Sequence, residues 1–96
     1  MIDSKFDNLI HAPNRLQLCA MLDPAEEIEY AAVKDQLKVS DSVLSKQVWQ
    51  LEKAGYILSI KRASLGRSRT WIGLTQQGRL AYRAHIEALK EIVGSL

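Results

Sequence analysis

A chain of 96 residues with a net charge of +2 has room for one domain, a modest core and little more. With 47% apolar and 25% charged residues it has the composition of an ordinary globular protein, and no apolar run approaches the length of a membrane span. The opening Met-Ile-Asp-Ser-Lys-Phe-Asp lacks the basic and apolar regions of a secretion signal, so a cytoplasmic location is the default expectation.

In chain order, Asp3 is placed to cap a short N-terminal helix over residues 4–10, with Phe6, Leu9 and Ile10 on one side. Pro13 suits the first turn of a second helix, where its missing N–H costs nothing. That helix runs to residue 22 and is apolar around most of its circumference, which predicts burial. Cys19 lies within it, reads as a small buried hydrophobe, and as the single cysteine has no internal disulfide partner. Asp23-Pro24 ends the helix, because the residue before proline avoids the helical region. Residues 26–29 are acidic and long enough for one small edge strand. A third helix over 31–37 sets Val33 and Leu37 on the side of Tyr30, and Lys38-Val39 makes a tight turn.

The stretch 40–54 is the best defined. Ser40 is an N-cap candidate, Val39 and Leu44 have the spacing of a hydrophobic staple, and Gly55 suits the left-handed position after the last turn. Leu44, Val48 and Leu51 recur at i, i+4, i+7 and make one narrow apolar stripe. Ser42, Ser45, Lys46, Trp49, Gln50 and Lys53 point the other way, a face without a carboxylate that can donate to phosphates and base edges. Two short helices joined by so few residues form an angled pair, a helix-turn-helix.

Beyond Gly55, residues 56–62 read as a strand, 63–68 as a loop and 70–74 as the returning strand. Lys61 and Arg62 stand on one side of that loop and Arg67 and Arg69 on the other, with no acid between. Arginines on a small flexible loop suit a phosphate backbone or a narrow minor groove. The charge distribution agrees. Residues 1–40 are acidic in balance, whereas from Ser42 to Arg83 there are Lys46, Lys53, Lys61, Arg62, Arg67, Arg69, Arg79 and Arg83 against Glu52 alone. A basic half after an acidic half points to a polyanion met by one side of the molecule.

Thr75 caps a last helix that continues to residue 93. Its Tyr82, His85, Leu89, Ile92 and Leu96 alternate at spacings of three and four, the seam of a helix pair, flanked by Ala81, Ala84 and Ala88. At 1.5 Å per residue such a helix is roughly 27 Å long, more than a three-helix core needs. The expected dimer interface joins Phe6 and Leu9 to Tyr82, His85, Leu89 and Ile92, this face packing against both the chain's own helix over 6–10 and the partner's copy. The alternative is that it packs on the chain's own N-terminal helix alone.

The order helix, helix, helix, strand, basic loop, strand, long helix resembles small bacterial and archaeal winged helix-turn-helix transcriptional regulators related to the MarR type. The motifs are Ala12-Pro13-Asn14-Arg15-Leu16, then Leu44-Ser45-Lys46-Gln47-Val48 through Leu51-Glu52-Lys53-Ala54-Gly55-Tyr56-Ile57. Gly66-Arg67-Ser68-Arg69-Thr70-Trp71, Leu74-Thr75-Gln76-Gln77-Gly78-Arg79 and Tyr82-Arg83-Ala84-His85 follow. Two positions depart from the family's pattern: Lys38 stands where glycine is usual, and Trp49 where a polar residue is common.

The resemblance implies a mainly α fold with a small β-hairpin wing, in one domain. Residues 1–11 form its N-terminal helix, 12–74 its winged-helix core and 75–96 its dimerisation helix. It implies a homodimeric regulator of double-stranded DNA, read here as a repressor, with helix 40–54 in a major groove and the wing 61–70 on the flanking backbone or minor groove. The competing reading is a protein–protein module whose basic face takes an acidic partner.

Catalytic patterns are missing. His11 and His85 belong to no H-x-x-x-H or H-E-x-x-H motif, Ser45 has no evident base, and Gly66 is not part of a phosphate-cradling run. No enzyme, cofactor, metal or membrane partner is expected, and no effector is indicated.

Overall fold

The computed structural model describes residues 5–94. The expected Asp3 cap and the last seam residue, Leu96, lie outside them. Helix α1 is Asn8–His11, shorter than the sequence suggests. Asp7 is its N-cap and accepts from the Ile10 N–H, so Phe6 precedes the helix instead of riding on it. Then come α2 (Pro13–Leu22), β1 (Ile28–Glu29), α3 (Tyr30–Leu37), α4 (Asp41–Lys53), β2 (Ile57–Ser64), β3 (Arg67–Leu74) and α5 (Gln76–Val93). This is the winged-helix architecture, with β3 at the centre of an antiparallel sheet in the order β1-β3-β2.

The local signals act as read. Ser40 Oγ accepts from the Val43 N–H at 3.2 Å and Thr75 Oγ1 from the Gly78 N–H at 2.9 Å. Past α4, the Gly55 N–H bonds to the Glu52 carbonyl and the Tyr56 N–H to the Leu51 carbonyl, both at 2.9 Å, with Gly55 at φ 81°. This is the paired closure that a left-handed residue makes at a helix end. Lys38 takes φ 57°, ψ 44° at the α3–α4 turn, so a lysine occupies the conformation that glycine holds without strain, at a cost of about 1 kcal/mol.

The core gathers side chains from the first four helices and β3: Ile10, Leu18, Leu22, Val33, Leu44, Leu51 and Ile72 are fully or almost fully buried. Burial pushes the Cys19 thiol up to about 12, so it packs as a neutral hydrophobe. The Thr75 N–H and hydroxyl bond to the Tyr56 and Gly55 carbonyls, which brings the start of α5 against the end of α4. A Cβ at Gly78 would stand 2.1 Å from the Tyr56 carbonyl oxygen, so only glycine permits this approach.

The wing departs from expectation. In place of a loop over 63–68, β2 and β3 pair out to Ser64 and Arg67, and only Leu65-Gly66 turn the chain. Both turn residues have positive φ, 52° and 77°, the combination whose twist matches paired strands.

Candidate nucleic-acid interface

The polar side of α4 and the inner face of the wing enclose a hollow of ≈ 370 Å³ lined by Tyr30, Asp41, Ser45, Trp49, Lys61 and Thr70, among others. The register explains the wing's share: Lys61 lies opposite Thr70 and therefore points to the same face of the sheet. Of the α4 residues read as DNA-facing, Ser42, Ser45, Lys46, Trp49 and Lys53 are exposed and Gln50 is half-buried. Trp49 is 56% exposed, and the Lys53 ammonium lies 5.0 Å from its ring centre, a cation–π contact. Burial and the nearby Asp41 carboxylate push the Tyr30 phenol above its ordinary value, against a Ser45 hydrogen bond, so it stays neutral at the mouth of α4.

Two supports of this surface escaped the sequence reading. The Arg15 guanidinium donates to the Leu9 carbonyl and, at 2.8 Å, to Gln47 Oε1, joining α1 and α2 to α4. The acidic segment before α3 lies beside the wing, because β1 pairs with β3 and puts Glu29 opposite Trp71. Glu27 therefore meets Arg62, and Glu29 takes Arg69 through both carboxylate oxygens at 2.9 and 3.0 Å. Further down, Asp23 holds Arg79 at 3.4 Å and Arg83 at 3.1 Å.

Half of the cations in the basic half read from the sequence are thus paired with the acidic half in space. Among the described residues from Ser42 to Arg83, the cations without a carboxylate partner are Lys46 and Lys53 on α4 and Lys61 and Arg67 on the wing. Lys61 lines the hollow itself, Lys46 and Lys53 lie on the exposed side of α4, and Arg67 stands near the wing tip on the sheet face opposite to Lys61. This is a smaller electropositive surface than the sequence suggests, and a better defined one.

The residues read as a dimer seam divide. His85 is fully buried in its own chain. Its Nδ1 accepts the Asp7 backbone N–H at 2.9 Å, its Nε2 lies 3.2 Å from His11 Nδ1, and the Phe6 ring meets it edge-on with centroids 4.7 Å apart. Spacings of three and four describe the inward stripe of α5 as well as a seam, and Gly78, His85 and Ala88 are that inward stripe. Phe6, Leu9, Tyr82 and Leu89 are half-buried, and Ile92 is exposed beside Val93.

No group of three or more histidines, cysteines or carboxylates able to hold a metal occurs among the described residues. No helix there is long and apolar enough to cross a membrane.

Comparison with known proteins bears on this arrangement. The family model described as a winged helix DNA-binding domain matches residues 14–93. An uncharacterized protein of Methanocaldococcus jannaschii is 28% identical over 78 residues, covering 81% of this chain and 85% of that protein. Among solved structures, a transcriptional regulator homologue from Pyrococcus horikoshii superposes with a TM-score of 0.87 at 20% identity, over 93% of this chain and 88% of that one. The MepR–DNA complex of S. aureus gives 0.78 at 19% identity, over 97% and 76%. At these identities the two structures attest the fold.

Proposed function

The chain belongs to the winged helix DNA-binding domain family, and from that membership we propose that it is a homodimeric transcriptional regulator, a repressor, that binds double-stranded DNA. Helix α4 enters a major groove, where Ser42, Ser45 and Gln50 offer hydrogen bonds to base edges and Lys46 and Lys53 meet phosphates. The wing lies on the flanking backbone or minor groove through Lys61 and Arg67. The observation that carries this reading is that, between Ser42 and Arg83, the cations without a carboxylate partner lie on α4 and the wing while Arg62, Arg69, Arg79 and Arg83 are held by acids.

Dimerisation is supported by α5, an 18-residue helix that leaves Ile92 and Val93 more than half exposed beside the half-buried Leu89. A two-fold pair of such helices sets two α4 helices roughly 34 Å apart and calls for a pseudo-palindromic site.

The test is a fluorescence-anisotropy titration of mixed-sequence duplexes over a range of salt, with light scattering on the free protein. A dimer whose affinity falls steeply with salt, by a log–log slope of about −0.9 per phosphate neutralised, is the expected result. A flat slope, or equal binding to an acidic polypeptide, would overturn the DNA reading, and a monomer at micromolar concentration would overturn the dimer.

A further inference from the structure

The most costly residue on the wing is one without a role inside the protein. Leu65 is 96% exposed at the tip of the β2–β3 hairpin, more than any other large apolar side chain among the described residues. Its backbone also stands at φ 52°, in the left-handed region that leucine avoids. It occupies the first central position of a two-residue turn with both φ values positive, where asparagine, aspartate or glycine closes the hairpin without strain. The chain therefore bears backbone strain and a fully solvated apolar side chain at the same position, and no contact within the protein offsets either. Such an outlier points outward, to a partner.

The surroundings say which partner. Ser64 and Arg67 are the paired residues on either side of the turn, and no carboxylate lies at the tip. Arg67 has no acidic partner, unlike Arg62 and Arg69 further down the same hairpin. A thin two-residue tip with one apolar side chain and an adjacent free guanidinium is shaped and charged for the minor groove of a duplex. There, arginine is drawn to narrow, strongly negative segments and apolar side chains wedge between base steps.

We propose that Leu65 is a wedge that enters the minor groove at each outer edge of the DNA site and partly unstacks one base step, with Arg67 anchoring it on the flanking backbone. This rests on the DNA-binding reading above and adds a deformation to it. Pyrimidine–purine steps, which open most easily, are the expected targets, so sequence preference arises at positions that α4 does not reach.

The experiment compares wild type with Leu65→Asn and Leu65→Phe, on duplexes carrying 2-aminopurine at successive steps and a donor–acceptor dye pair at the ends. Asparagine fits the turn, so Leu65→Asn is expected to melt at a higher temperature than wild type. It is also expected to bind duplex roughly tenfold more weakly, because it has no apolar side chain to bury between the bases. Wild type and Leu65→Phe are expected to raise 2-aminopurine fluorescence at one outer step and to shorten the end-to-end distance, and Leu65→Asn to do neither. Wild type that binds duplex with no fluorescence rise at any step, or a Leu65→Asn variant of undiminished affinity, would overturn the wedge and leave the DNA reading standing. Failure of wild type to bind any duplex would overturn the DNA reading itself.

Discussion

The two ends of this molecule treat their polar groups in opposite ways. Where the N-terminal segment meets α5, every group is committed: Asp7 caps α1, accepts the Tyr56 hydroxyl at 2.6 Å through its other oxygen, and donates its backbone N–H to His85, which reaches His11. Where α4 faces the wing, serines, lysines, an indole and an arginine stand in water, and two residues, Lys38 and Leu65, hold left-handed backbone. The first region spends its chemistry on the fold. The second keeps its chemistry available and accepts strain to do so, which is how a binding surface differs from a scaffold made of the same residue types.

The largest effect should come from breaking the committed end. His85→Ala leaves a cavity and strips the partly buried Asp7 N–H of its acceptor, so it should lower the unfolding free energy by about 3 kcal/mol. Urea denaturation at pH 7.5 measures this. A loss within the range of ordinary surface substitutions, about 0.5 kcal/mol, would mean that the two regions do not differ in this way.

A second effect follows from the direction of the hydrogen bonds. Because His85 Nδ1 accepts the Asp7 N–H, its proton sits on Nε2 and points at His11 Nδ1, which must accept. A proton added to either ring meets another donor. Burial, then the His11 ring, hold the His85 pKa below its ordinary 6.5, against the opposing Asp7 carboxylate. The folded-state value is thus depressed below the unfolded one, and the unfolded chain takes up the proton first. Stability is fully present above pH 6.5 and falls as the pH drops below it. Thermal melts from pH 7.5 to 5 should show that decline, and His11→Ala, which removes the neighbouring ring, should bring the His85 titration closer to 6.5 by NMR. A His85 titration at or above 6.5 in wild type would refute the assigned bond directions.

How much of this was legible depended on the range of the interaction. The Ser40 and Thr75 caps, the Gly55 closure and the α4 stripe act within a few residues, so spacing alone revealed them. The ion pairs of Glu27 with Arg62 and Glu29 with Arg69 span 35 and 40 positions and exist only because β1 lies beside β3. Nothing local announces that, and the basic wing therefore looked freer than it is. His85 was ambiguous for another reason: an inward stripe and a dimer seam share one periodicity, and only the placement of Asp7 and His11 decides between them. The wing turn was hidden because leucine stands where an asparagine would have advertised it.

The smallest effect tests the division between committed and available charge within the wing, where two arginines two residues apart have different surroundings. Arg69 Nη1 donates to both carboxylate oxygens of Glu29, and Arg67 has no acid beside it. Arg67→Ala should reduce the magnitude of the salt slope of duplex binding by about 0.9 for each phosphate that the guanidinium neutralised, at unchanged stability. Arg69→Ala removes a partly exposed ion pair from the sheet edge, which should cost less than about 1 kcal/mol of stability and leave the slope as it was. Salt titrations of both variants on one duplex, with denaturation curves alongside, read the two quantities separately. If Arg69→Ala flattens the slope as far as Arg67→Ala does, the Glu29 pair opens when DNA arrives. The carboxylates of β1 would then be competitors for the wing, so that Glu29→Gln should tighten duplex binding.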